Sequence, residues 1–418
     1  MPKFPLPKTA SKTGTRPSNC GTLKLACAST LVLVLTACAT VATDIPTIPQ
    51  ADILSATPAV QQTTVDAYFE RLERAHKITW PILVANVDLC HDRRRDSFGI
   101  RLANDKSIRS LVDGYTLKQI HTLGYSQTAF VAGVQAGSPA ELAGVQPGAV
   151  PVKVGDTDID GSMKTLTKAL STYRKDRAKA KKDDDSMPAE LEQLAFVFEQ
   201  PDGARLETNL TPIEVCDIPV FVGENDSINA SAGSKAINVR RGLLTYFDDD
   251  EIVGFIMSHE IAHVIGEHVN KQTRNGWITG YNLWGIPVAF SGGLFDGFFG
   301  GLLETFAGVE KPLGVQTVTL LNNRIRGTRE FEREADYVGM YIAARAGLDI
   351  SKAGEAFARL AELSARSTYG ENSHPVTADR MLALDFARKE IEAKQRAGED
   401  LVPNGWPLPL PGEDDEAR

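Results

Sequence analysis

Ser258-His259-Glu260-Ile261-Ala262-His263 lies in an apolar run with helical periodicity. A spacing of four residues sets His259 and His263 one above the other on one helix face, where two imidazole nitrogens can grip a single Zn²⁺. Glu260 then stands beside the water that such a metal would hold, and a carboxylate there can take the water's proton as it attacks a carbonyl. Upstream, Asp248, Asp249, Asp250 and Glu251 supply N-cap candidates and negative charge for the first turn. Ile252, Val253, Phe255, Ile256, Ile261, Val264 and Ile265 mark a largely buried helix. Two histidines and a glutamate are costly to bury among them without a partner, and a metal is such a partner.

A catalytic zinc takes three protein ligands and keeps one position open, so a third ligand is expected downstream. The run Arg329-Glu330-Phe331-Glu332-Arg333-Glu334-Ala335-Asp336 offers Glu332, which shares a helical face with Asp336. Glu332 is expected to bind the metal, and Asp336 to accept the N–H of a ligating histidine, His259, fixing its tautomer. By spacing alone Glu330 and Glu334 serve as well as Glu332. His268, one turn beyond the histidine pair, is read as a surface or outer-sphere residue, because a fourth ligand would close the open position.

H-E-I-A-H followed by F-E-R-E-A-D resembles the gluzincin peptidases that include the CAAX prenyl endopeptidase, the HtpX heat-shock peptidase and the BepA-like periplasmic peptidases. Ser227-Ile228-Asn229-Ala230, Ile237 to Leu244, and the later Ser373-His374-Pro375 and Arg380 extend the resemblance, which covers about Asp217 to Lys394. It implies one Zn²⁺ per chain, Glu332 as the third ligand and Glu260 as general base. It also implies that His374 approaches the metal, contacting it at rest or stabilising the tetrahedral intermediate; the alternative is a cap on a helix beginning near Pro375. Arg380 is expected either to offer charge to the oxyanion or to tie helices together through Asp336 or another acid.

Lys3, Lys8, Lys12, Arg16 and Lys24 precede a short apolar run, Leu25 to Leu35, that ends in Leu35-Thr36-Ala37-Cys38. That ending resembles a bacterial lipobox, which implies a signal peptide over 1–37 and a lipid on Cys38. Ala39 after the cysteine, rather than an aspartate, resembles the signal for sorting to the outer membrane, on its periplasmic face. The leader holds five basic residues and no acidic ones, so beyond residue 37 there are 40 basic residues against 54 acidic, a net charge of −14. Nucleic acid is thereby disfavoured as a partner. Cleavage would leave Cys90 and Cys216 as the ordinary thiols, and an oxidising periplasm favours a Cys90–Cys216 disulfide.

Between those cysteines, Ala129 to Gln135 reads as a strand leading into Ser138-Pro139-Ala140-Glu141-Leu142-Ala143-Gly144-Val145-Gln146-Pro147-Gly148. The pattern resembles the short helix and turns of a bacterial PDZ domain, with Leu166 to Tyr173 as its groove helix. Leu194 to Phe198 and Ala204 to Leu210 form a hairpin around Pro201-Asp202-Gly203. The family's G-D after the second glycine reads Gly148-Ala149 here. A domain of that kind captures extended peptide along a sheet edge. Lys175 to Asp185 is read as a solvated loop within it.

The expected fold class is α+β: a mostly helical zinc-peptidase domain with a small edge sheet, plus a PDZ-like β-sandwich or barrel. The boundaries are 1–37 signal peptide, 38–62 flexible tether, 63–90 an N-terminal helix and strand, 91–215 PDZ-like, 216–395 peptidase, and 396–418 a Pro-rich acidic tail. Within 63–90, Asp66 to His76 reads as an amphipathic helix. Trp284 to Val309, rich in glycine and phenylalanine but broken by Asp296 and Glu304, reads as a lid beside the cleft or as an apolar face toward membrane or an oligomeric partner. The expected function is an envelope endopeptidase acting on unfolded or misassembled proteins, anchored to the membrane through its lipid, with a substrate strand along an edge near Asn229 to Val239. A chaperone or assembly factor that uses the PDZ groove is the alternative class.

Overall fold

In the computed structural model the structure describes residues 48–91, 93–112, 114–182, 187–271, 315–363 and 376–405. All elements below belong to one unit, Gln50–Arg418. The expected signal peptide, Cys38, the Trp284–Val309 segment, His374 and the end of the acidic tail lie outside the described residues.

The first helix, α1 (Gln50–Ala85), is much longer than Asp66–His76 and takes in residues 50–62 that the sequence reading assigns to a flexible tether. Burial explains the reach past His76, while residues 50–62 are exposed or half-buried. Val65, Tyr68, Ala75, Ile78, Ile82 and Leu83 recur at helical intervals and sink into the core, so packing carries the helix through Pro81 despite its missing N–H. A 3₁₀ turn, Val87–Cys90, then brings Cys90 to Cys216, and the two are joined as a disulfide with Cα atoms 5.6 Å apart. Both cysteines are buried.

The loop closed by that bond contains β1 (Arg94–Ser97), β2 (Ile100–Ala103), α2 (Asp105–Leu111), α3 (Leu117–Thr122), β3 (Phe130–Val134), α4 (Pro139–Leu142), β4 (Val150–Val154), β5 (Thr157–Asp158), α5 (Met163–Lys182), α6 (Ala189–Glu192), β6 (Leu194–Glu199), β7 (Arg205–Leu210) and β8 (Ile213–Cys216). Strands β5-β4-β6-β7 form one open sheet, β2 pairs with β3, and β1 pairs with β8. Among the described residues no sheet closes into a barrel. The β6–β7 hairpin pairs Leu194 with Leu210 through Glu199 with Arg205, and alternate residues of β6 turn inward. Phe98, Val131, Leu166, Phe196, Phe198 and Leu210 build a core of their own, with Phe98 edge-on to Phe196 at 5.2 Å.

Two features of this region depart from the sequence reading. Helix α5 continues to Lys182, through residues 175–182 of the stretch expected as a solvated loop. Its last turns are held by ion pairs, with Arg177 and Lys181 reaching Asp96 of β1 at 2.8 and 3.0 Å and Lys181 also reaching Glu214 of β8. Helices α2 and α3, expected inside the PDZ-like body, bury Ile108, Val112 and Ile120 in the core that contains α1. Residues 91–215 therefore do not share a single core.

After β8 come β9 (Val220–Gly223), β10 (Ala230–Ala232), β11 (Ile237–Arg240) and α7 (Arg241–Tyr246). The sheet order is β10-β11-β9, with β11 parallel to β9 and antiparallel to β10. Ile237–Val239 is thus central, with Ala230–Ala232 outer on one side and Val220–Gly223 on the other, so the expected edge from Asn229 to Val239 narrows to its first part. Helix α8 (Asp250–Ile265) is buried from Ile252 to Ile265. It packs against α1, β10, α9 (Val315–Arg345) and α10 (Lys352–Leu363), and α9 in turn packs on α11 (Ala378–Ala397). Gly398, at φ +69°, ends α11, and the start of the expected tail docks: Lys394 donates to the Val402 carbonyl, Arg345 to that of Leu401, and the Asn404 N–H to the Tyr337 hydroxyl. No described helix is long and apolar enough to cross a membrane.

Candidate metal centre

The Asp249 side chain caps α8, accepting the Glu251 N–H at 2.9 Å, while Asp250 and Glu251 sit in the positive first turn. Three turns on, the rings of His259 and His263 stand 4.7 Å apart with their Nε2 atoms separated by 3.1 Å. Glu332 of α9 faces them. Its Oε2 is 3.4 Å from Nε2 of His259 and its Oε1 is 3.4 Å from Nε2 of His263. All three groups are buried, and their ligand atoms lie within 4.8 Å of one another.

Helix α9 comes this close because of Gly339. It lies two turns past Glu332, and a Cβ there would stand 3.0 Å from the Cα of His259. Glu332, Asp336 and Gly339 share one face of α9. Spacing left the ligand acid open among Glu330, Glu332 and Glu334. In the fold Glu330 is exposed, and Glu334 turns to His268, with its Oε2 3.4 Å from Nε2 of that ring.

Asp336 occupies the far side of His259, its Oδ1 3.0 Å from Nδ1. Arg380 of α11 grips the same carboxylate with Nε and an Nη, each at 2.7 Å, and its other Nη is 3.0 Å from Glu332. Of the two roles expected for Arg380, the tie through Asp336 is the one this geometry displays. Phe357 stacks beneath the guanidinium at 4.7 Å. His268 is buried, so of its two readings, surface or outer-sphere, the outer-sphere one fits. The helix breaks at Gly266–Glu267 and folds the ring back, so that Nδ1 of His268 meets Nδ1 of His263 at 2.8 Å.

Burial alone would lower the pKa of His259, but the hydrogen bonds and charges of Asp336 and Glu332 outweigh it and raise the group to about 10. For His263 burial dominates, joined by the charge of His259, and the pKa falls to about 4. The pair thus favours one charged and one neutral imidazole facing a carboxylate. Two imidazole nitrogens and a carboxylate that point at a common, water-excluded space suit a divalent cation, which would replace the proton as the neutralising charge.

Glu260, also buried, lines a cavity of about 50 Å³ together with Ile228, Asn229, Phe255, His259 and Arg380. The wall is mostly apolar. A carboxylate, a histidine ligand and the end of the outer strand β10 thus meet in one cleft.

Residues 212–387 match the family model described as Peptidase family M48. That segment, which holds every member of the cluster above, is similar to a metallopeptidase domain. The chain is also 30% identical, over 138 residues, to the "Beta-barrel assembly-enhancing protease" of Escherichia coli O157:H7; the alignment covers 31% of this chain and 25% of that protein. The protein of the same name from Escherichia coli strain K12 is 28% identical over 134 residues. The "Mitochondrial metalloendopeptidase OMA1" of Arabidopsis thaliana is 30% identical over 128 residues, covering 30% of this chain and 22% of the relative. The chain thus spans about a quarter of the length of these curated relatives.

Proposed function

We propose that this chain is a zinc endopeptidase of the bacterial envelope, acting on unfolded or misassembled proteins and held at the periplasmic face of the outer membrane by a lipid on Cys38. The observation that carries the reading is the convergence of His259, His263 and Glu332 beside Glu260. The peptidase family M48 match supports the peptidase reading, and the likeness to a beta-barrel assembly-enhancing protease supports the envelope setting.

Nε2 of His259, Nε2 of His263 and the Glu332 carboxylate would hold Zn²⁺, which supplies Lewis-acid polarisation and acidifies water toward neutrality. Glu260 takes the proton from the attacking water and returns it to the leaving amine. Asp336 keeps the Nδ1 hydrogen on His259, leaving Nε2 as the lone-pair donor, and Arg380 keeps Asp336 from turning toward the ligand set. An extended substrate segment pairs along the outer strand β10, which brings its carbonyl past Asn229 to Glu260. The part of residues 91–215 built around Phe98, Val131, Phe196 and Phe198 serves as a PDZ-like module that holds substrate tails, and His374 is assigned the stabilisation of the tetrahedral intermediate.

Glu260→Gln tests the reading. Metal content should equal that of the wild type while casein cleavage falls by about 10²–10⁴-fold, the usual worth of a general base. A variant that cleaves at the wild-type rate would remove Glu260 from the chemistry. A wild-type protein that retains no metal would remove the ligand set.

A further inference from the structure

We propose that His268, hydrogen-bonded to His263 and faced from behind by the Glu334 carboxylate, forms a relay that positions the ligand His263, a counterpart to Asp336 behind His259. The inference rests on the ligand set described above and deepens it. When Nε2 of His263 offers its lone pair to the shared space, the ring hydrogen must reside on Nδ1. That hydrogen points at Nδ1 of His268, 2.8 Å away, which must accept it. The hydrogen of His268 then resides on Nε2, the atom that faces Oε2 of Glu334 at 3.4 Å. A negative charge on α9 is thereby connected through two imidazoles to the ligand atom on α8. His268 cannot itself be a ligand, because its near nitrogen is occupied on the side of His263 opposite the shared space.

Several features of the chain exist to seat that ring. A Cβ on Gly266 would lie 2.5 Å from Nε2 of His268, so the glycine leaves room for it. Glu267, a non-glycine residue at φ +53°, makes the turn that folds the ring back, and its carboxylate is held by Arg93 at 3.1 Å. Phe331 stacks on the ring with centroids 4.6 Å apart and planes 19° from parallel. A surface histidine would need none of these.

Zn²⁺ affinity, measured by competition with a chromophoric chelator, and the visible absorption of the Co²⁺-loaded protein test the relay in the full chain. His268→Phe keeps the ring stack but removes the acceptor, and it should weaken Zn²⁺ binding about 10–100-fold and alter the Co²⁺ spectrum. His268→Asn, whose amide oxygen can take the place of Nδ1, should restore affinity to within about threefold of wild type. Glu334→Leu, at a half-exposed position, should weaken binding several-fold without lowering the unfolding midpoint of the metal-free protein; it also serves as the test should His268→Phe fail to fold. Wild-type affinity in His268→Phe or Glu334→Leu, or failure of His268→Asn to recover it, overturns the relay. A wild-type chain that binds no Zn²⁺ overturns the ligand set beneath it instead.

Discussion

Oδ1 of Asp336 stands 3.0 Å from Nδ1 of His259. With Arg380 donating to the same carboxylate twice, Asp336 can neither rotate nor join Glu332 as a ligand, and what remains is orientation of the imidazole. Asp336→Asn should lower metal affinity about 10–100-fold, read by chelator competition, because the amide is a weaker acceptor and leaves the tautomer of His259 less defined. An unchanged affinity would mean that packing alone orients the ring.

Gly339 is the contact point that lets α9 approach α8. Alanine there meets the backbone of His259 at the limit of contact, and valine adds branches that must push the helices apart. Gly339→Val should therefore lose metal binding, with Gly339→Ala intermediate. Comparing the two separates spacing from stability, since a graded loss of metal is expected even where the circular dichroism of the metal-free proteins is the same.

The Cys90–Cys216 bond closes a loop of 126 residues at the point where the turn after α1 meets the end of β8. Its removal in a Cys90→Ala/Cys216→Ala protein should cost about 2–5 kcal/mol of stability, mostly through the freed unfolded chain. Denaturant unfolding gives the value. A double variant as stable as wild type under non-reducing conditions would show that the bond adds nothing to the packing around it.

His76 of α1 is lowered to about 3, by burial first and then by the charges of Arg101 and Arg95. Between its ordinary value of 6.5 and about 3 the unfolded chain takes up a proton that the folded chain refuses, so this group costs stability as pH falls through that window. His76→Gln should flatten the loss between about pH 7 and about pH 5, as followed by urea midpoints. Equal losses in both proteins would mean that His76 charges without consequence.

Local periodicity sets much of the site independently of long-range packing. Four-residue spacing places two imidazoles on one face, Asp249 caps the helix they ride on, and an alternating pattern with a Pro-Asp-Gly turn specifies the β6–β7 hairpin. Each of these depends only on residues close in the chain.

What spacing could not supply is which way a face turns. Glu330, Glu332 and Glu334 are equivalent acids along the sequence, and only the packing of α9 on α8 at Gly339 aims Glu332 at the histidines and Glu334 at His268. The reach of α1 past His76, the inner place of β11, and the packing of α2 and α3 into the core that holds α1 and α8 have the same origin. A helix or strand presents several surfaces of similar chemistry, and the choice among them is made by partners distant in the chain, through burial that no local pattern encodes.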